Sequence, residues 1–320
     1  MPINLNKPHL WKADTRASVD QFNQWFMTFA PKAYRDTRKT TIENVEQGLV
    51  ITLDLTSITP ELIQANPGIL PMLRMSTCPP LARDRLIGLA DSSKNFVGTL
   101  ESGKIPPQLT PELLKGHLAK ISLVLTKMLD VDIFPWLAEK RRPSEEERYR
   151  SSTIVADRLC GAVADPIVRN AQEKRQLALI EQYLSSRGYK HKPNPAGTAL
   201  TQMEPGTFAF RHNVLVKKSP EDAKSVRIPI DVVIQPRSAK LPHLPLLIEA
   251  KSAGDFTNVN KRRKEEATKM NMLKATYGEQ VAFVLFLCGY FDGAYLGFEA
   301  QEGIDWVWEH RIQDLDQLGI

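Results

Sequence analysis

Cysteine is scarce in this chain of 320 residues, and the three present, Cys78, Cys160 and Cys288, form no CxxC pair. That spacing excludes a zinc site built on paired cysteines and fits a reducing compartment. The six histidines are scattered, with no HxxxH or HExxH pattern. A GxSxG elbow, a Walker A loop and a histidine cluster of the HNH kind are missing too, so the chemistries they carry have no support here. The opening MPINLNKPHLW lacks the apolar core of a signal peptide. The longest apolar run, VAFVLFLC at 281–288, is too short to span a membrane and is expected to be a buried strand. These absences predict a soluble cytoplasmic protein with no membrane partner. No internal repeat or low-complexity tract is present.

What is there begins with ordinary globular composition, 42% hydrophobic and 25% charged, in a length that allows one large domain or two ordinary ones. A net charge of +5 is compatible with a nucleic-acid partner without requiring one. The first half is patterned as helix. Val19, Phe22, Trp25, Phe26 and Phe29 recur at steps of three and four. Thr110-Pro111-Glu112 has a capping threonine followed by proline at the first helical position. Pro143-Ser144, followed by three glutamates, again looks like a cap with acids in the first turn. A further cap at Asp165-Pro166 is expected to start a helix that Gly188 closes. Beyond it the pattern changes to strands at 207–216, 227–234 and 246–251. A polar helix at about 259–277 follows, then the apolar strand, and a tail with Trp306, Val307 and Trp308 as a last strand before a short helix. The expected division is a mainly helical region at 1–150 and an α/β (α+β) core at 151–320, a central mixed sheet flanked by helices.

Two of those strands carry charge where apolar residues surround it. Asp231 sits within IPIDVVI and Glu249 within LLIEAKS, with Lys251 two residues on. Side chains alternate along a strand, so Glu249 and Lys251 share a face. If the strands are hairpin neighbours, Asp231 lies beside Glu249; the link PRSAKLPHLP, with three prolines, suits a surface loop. A lone acid in a strand is ordinarily a solvated edge position or a paired charge. Two carboxylates and an ammonium on one face repel or lose hydration unless something neutralises them. A divalent cation does so, and hard oxygen ligands suit Mg²⁺, which retains waters and takes phosphate oxygens. It lowers the pKa of a bound water that a lysine can orient, which is the equipment for phosphodiester hydrolysis.

Pro229-Ile230-Asp231 followed by Glu249-Ala250-Lys251 resembles the signature of the PD-(D/E)XK nuclease superfamily, with Ile230 as an extra residue between proline and aspartate. A narrower resemblance is to XamI-type type II restriction endonucleases. It is carried in order by Phe134-Pro135-Trp136, the 143–148 segment PSEEER, Arg169-Asn170, Gly188-Tyr189, IEAKS at 248–252, Asn260-Lys261-Arg262 and the run into 287–291. The resemblance implies a restriction-endonuclease-like core and sequence-specific cleavage of double-stranded DNA with one or two Mg²⁺ ions per site, leaving 5′-phosphate and 3′-hydroxyl ends. It implies a bacterial cytoplasm and a cognate DNA methyltransferase as genetic partner. Asp231 and Glu249 would be the catalytic metal ligands, with the backbone carbonyl of Ala250 as a third; Lys251 would position the water. Glu173 is a candidate outer ligand, or a plain surface glutamate. Gln176, one turn on, is a candidate to face the site and the DNA.

Lys261, Arg262, Arg263 and Lys264 are either a solvated face balanced by Glu265 and Glu266 or a phosphate clamp. Asn258 and Asn260 are placed to donate to phosphates at the helix start. The helical region is a candidate for DNA clamp, specificity or dimerisation. A palindromic target has one scissile bond per strand, which predicts a homodimer. A PD-(D/E)XK nuclease of repair, defence or mobile-element processing, and a non-catalytic DNA-binding module, are the alternatives open at this point.

Overall fold

A computed structural model describes residues 2–193, 199–222, 224–257 and 259–320; of residues 162–165 and 259–262 it describes the backbone alone. The helices are α1 (Pro8–Ile51), α2 (Pro60–Ala65), α3 (Leu70–Met75), α4 (Arg83–Leu89), α5 (Lys94–Glu101), α6 (Pro111–Lys127), α7 (Pro135–Glu139), α8 (Glu145–Ser186), α9 (Val259–Tyr277) and α10 (Gly293–Gln301). The strands are β1 (Lys190–His191), β2 (Thr207–Lys217), β3 (Ser225–Gln235), β4 (Leu246–Ala253), β5 (Phe283–Gly289) and β6 (Asp305–Trp308), with 3₁₀ turns ending the chain at Glu309–Leu318. The expected strands are all present, and the polar helix spans Val259–Tyr277 as patterned. No helix among the described residues is long and apolar enough to cross a membrane.

The chain divides into two compact units: residues 30–167, and residues up to 29 together with 168–320. The position expected for a boundary, 150/151, lies within α8. The helical unit closes around Leu73, Val97, Leu118, Ile121, Phe134 and Trp136, all fully buried. Side-chain caps start its helices: Thr59, Ser93 and Thr110 accept from Leu62, Phe96 and Leu113. At α8, Ser144 and Glu147 form a reciprocal capping box, Glu147 N–H to Ser144 Oγ at 3.2 Å and Ser144 N–H to Glu147 Oε2 at 2.8 Å.

One helix boundary differs from expectation. Asp165-Pro166 does not start a helix; α8 runs through Pro166 for 42 residues. An interior proline removes one helical hydrogen bond and costs about 3 kcal/mol. Packing on both sides of it is larger. Val155, Ala156 and Cys160 are buried in the helical unit's core, and Leu177, Ile180 and Leu184 in the sheet unit's. Each buried aliphatic side chain contributes about 1.5–3 kcal/mol, so the helix persists across the break.

The six strands lie in sequence order, β1 to β6. β1 pairs parallel with β2, the β2–β3 and β3–β4 pairs are antiparallel, and β4, β5 and β6 are mutually parallel and joined through α9 and α10. β5 is buried along its whole length, which explains its unbroken apolar sequence. One face of the sheet, with Val233, Leu247, Leu285, Leu287 and Trp306, packs on Met270 and Leu273 of α9 and Tyr295 and Leu296 of α10. The other face, with Phe208, Val232, Ile234, Ile248 and Phe286, packs on α8. At the end of β5 the backbone of Gly289 adopts φ +100°, and a Cβ there would collide with the Ala253 carbonyl oxygen of β4.

The amino-terminal residues belong to this sheet unit, which sequence pattern did not indicate. Asp305 of β6 accepts the backbone N–H groups of Ile3, Asn4 and Leu5. The Asn4 side chain donates to the Trp306 carbonyl at 2.8 Å, and Trp11 meets Trp306 edge to face at 5.5 Å. β6 is the last strand of the sheet, and these contacts cover its outer edge.

Candidate active site

The sheet forks at the acids. β3 and β4 pair through Val232–Ile248, Val233–Leu247 and Ile234–Leu246, and the ladder stops there. One step further Asp231 and Glu249 stand opposite each other. Instead of a backbone rung, the Asp231 carboxylate accepts the Ala250 N–H, at 2.8 Å. From this point β3 pairs only with β2, and β4 only with β5. A residue's N–H and C=O leave a strand on the same side, so the Ala250 carbonyl also faces the fork. Pro229 faces it as well, through the carbonyl that Lys269 binds at 3.0 Å. Its missing N–H therefore costs the sheet no rung, which is why a proline is tolerated within β3.

Asp231, Glu249 and Lys251 come together here on the α9 face. Glu249 is buried; its Oε1 lies 3.1 Å from Lys251 Nζ and 2.6 Å from Lys269 Nζ. Its Oε2 is buried and hydrogen-bonds to no described group. Lys251 reaches a second acid, Glu266, at 3.4 Å. Glu266 is fully buried and accepts the Tyr295 hydroxyl at 3.3 Å. Neither Glu266 nor Lys269 was singled out by sequence pattern. Both lie on α9, three residues apart, and Glu266 shares the stripe of Met270 and Leu273 that packs on the sheet. A carboxylate within an apolar stripe at steps of four and three was the available signal.

Burial, then the adjacent Glu249 charge, pushes Asp231 up to about 6, against the pull of the Ala250 N–H and the two lysines. Burial opposes the charge of Lys251, but Glu249 and Glu266 outweigh it and hold the ammonium above its ordinary value. Burial raises Glu266 despite Lys251. Beyond Glu266, burial and the Glu266 charge push Glu299 up to about 8.

The donor set fits a hard divalent cation that keeps water. Two carboxylates face each other across the fork, one with a buried oxygen lacking a donor, beside a backbone carbonyl. No group of three or more metal-ligating side chains occurs among the described residues. Mg²⁺ needs only one or two carboxylates, completing its shell with water and phosphate.

The remaining candidates are placed differently. Glu173 on α8 is bound to Arg211 of β2 at 2.7 Å, and Arg211 has a positive φ of +49°. Gln176 is buried, and its amide donates to the Lys251 carbonyl at 3.4 Å and the Phe286 carbonyl at 3.3 Å. An amide bonded to two strand carbonyls steadies the backbone beneath Lys251. Asn258 lies outside the described residues, as do the side chains of Asn260, Lys261 and Arg262.

Comparison with known proteins identifies the family. The profile of the XamI restriction endonuclease family matches residues 53–308. Type II restriction enzyme SalI of Streptomyces albus G is 56% identical over 317 residues, covering 99% of each chain. No solved structure gives a significant match. With the match spanning both units and the strands of the fork, this chain belongs to the XamI restriction endonuclease family.

Proposed function

We propose that this type II restriction endonuclease, a site-specific deoxyribonuclease, hydrolyses double-stranded DNA with Mg²⁺ held at the β3–β4 fork of a PD-(D/E)XK core. The observation that carries the reading is the facing pair Asp231 and Glu249, one bridged to the Ala250 N–H and the other with a buried oxygen that has no donor among the described residues. Asp231, Glu249 and the Ala250 carbonyl would hold the ion. Bound there, it would neutralise charge developing at the phosphorus and acidify a water. Lys251, anchored between Glu249 and Glu266, orients that water and stabilises the pentavalent transition state. Glu266 and Gln176 act through Lys251, one on its ammonium and one on its carbonyl. The Ala250 N–H fixes the rotamer of Asp231. Glu173 is a candidate outer ligand through its place near the start of the sheet-packed half of α8.

DNA contacts fall to the basic start of α9, Asn258, Asn260, Lys261 and Arg262, as phosphate clamps, with the helical unit supplying clamp or specificity. A palindromic site calls for a homodimer with one fork per strand. A cognate methyltransferase is the genetic partner, and the cytoplasm the compartment where both act.

The test is cleavage of unmethylated plasmid by wild type and Lys251→Ala, with and without Mg²⁺. Discrete fragments that require Mg²⁺ and vanish in the variant support the proposal, and their ends give the target. Cleavage without a divalent ion, or a fully active Lys251→Ala, overturns it.

A further inference from the structure

One ammonium at the fork has no part in the proposed hydrolysis. Lys269 Nζ lies 2.6 Å from Glu249 Oε1 and 3.0 Å from the Pro229 carbonyl. The same Glu249 oxygen also faces Lys251, at 3.1 Å, so one oxygen serves two cations while Oε2 accepts no hydrogen bond from the described residues. A divalent ion on Glu249 and Asp231 places two further positive charges against that carboxylate. Charges of one sign at this range repel strongly where water is excluded. One ammonium therefore gives way. Lys251 is held from its far side by the Glu266 carboxylate. Asp231 acts on both lysines, but among the described residues the second direct partner of Lys269 is a neutral carbonyl where that of Lys251 is a carboxylate, so Lys269 is the weaker-held of the two.

We propose that Lys269 is the resident counter-cation of Glu249: it neutralises this carboxylate in the metal-free protein and competes with the divalent ion for it. The inference rests on the metal site proposed above. Its consequence is a threshold. The free protein takes up metal weakly, and a DNA phosphate, by adding negative charge at the fork, shifts the balance towards the ion. Metal then enters with the substrate instead of ahead of it.

The probe is Ca²⁺, titrated calorimetrically into the DNA-free full chain. Lys269→Gln is expected to bind Ca²⁺ on the order of tenfold tighter than wild type. Lys269→Arg, which keeps the charge, is expected to match wild type. So is Lys264→Gln, which removes an exposed charge from the same helix. In chelator, Lys269→Gln melts below wild type, and Ca²⁺ raises its Tm by more. Equal or weaker binding by Lys269→Gln overturns the inference while leaving the metal site standing, and so does equal tightening by Lys264→Gln. Absence of Ca²⁺ binding in both wild type and Lys269→Gln overturns the metal site and the inference together. A measurement on wild type alone covers the case in which the variants do not fold. Acylation of Lys269, followed by peptide mass spectrometry, rises on adding Ca²⁺ if the ammonium is displaced; unchanged labelling overturns the inference.

Discussion

Glu266 is a fully buried carboxylate whose neighbours are Lys251 and the Tyr295 hydroxyl. Its direct contacts among the described residues are with Lys251 and Tyr295, so its effect on hydrolysis is expected to pass through the lysine. Substituting Glu266→Gln keeps the volume and the Tyr295 contact but removes the charge anchoring Lys251. Single-turnover cleavage is expected to slow by about 10–100-fold, the usual cost of losing a supporting group behind a site. DNA affinity, read by gel shift in Ca²⁺, is expected to stay unchanged; an equal loss of affinity would show that Glu266 holds the fold and not the lysine. Asp231, Glu249 and Lys251 were legible in sequence because strand alternation fixes a face and the surrounding residues are β-favouring and apolar. Glu266 and Lys269 were not. They stand in a run dense with charge, KRRKEEATK, where composition suggests a solvated face and only the step to Met270 and Leu273 betrays the buried side. The partners of Gln176 were not legible for a related reason. Position on a helix one turn from Glu173 says nothing about the strand carbonyls waiting beneath it.

At the scale of elements, local signals fared well where the chain itself makes the contact. The caps at Thr110 and Ser144 were legible because the residues that satisfy the first helical N–H groups lie within three positions of one another. The Ser144 box allows a quantitative test. Ser144→Ala is expected to cost about 1 kcal/mol of stability. Glu147, its partner, is held down to about 2 by hydrogen bonds from Arg141 and from the Ser144 N–H, against an ordinary value of 4.5. A carboxylate with a depressed folded-state pKa stabilises above its unfolded value and loses that contribution as pH falls. The Tm gap between wild type and Glu147→Gln is therefore expected in full at pH 6, and to shrink from pH 4.5 towards 2. Because the ion pair lies at the surface, with Glu147 partly exposed, the gap is expected to be small and to close with salt; a gap that grows with acidity contradicts the assignment. The Asp165-Pro166 boundary was illegible for the opposite reason. What carries α8 across the proline is packing against residues distant in sequence, with Leu177, Ile180 and Leu184 on one side and Val155 and Cys160 on the other.

For the whole molecule, the homodimer proposal predicts a sedimenting mass near twice 36.1 kDa at micromolar concentration, and scission of both strands in one encounter. A monomer that nicks one strand at a time contradicts it. The division of the chain into units was only half visible. The change from helical to strand pattern marks where the sheet begins, but the contacts of Ile3, Asn4 and Trp11 with Asp305 and Trp306 join residues about 300 apart, and no periodicity reports them. That closure bears on biosynthesis. The helical unit is translated as one uninterrupted stretch, so it can finish folding while the ribosome is still working. The sheet unit needs residues made before that stretch and residues made after it, and its β6 edge stays open until both have emerged. A nascent chain that has passed β4 already carries Asp231, Glu249 and Lys251, yet lacks the Glu266 that anchors Lys251 and the β5 strand against which β4 lies. The order of synthesis thus withholds the groups that brace the fork until α9 and β5 have followed it out of the ribosome.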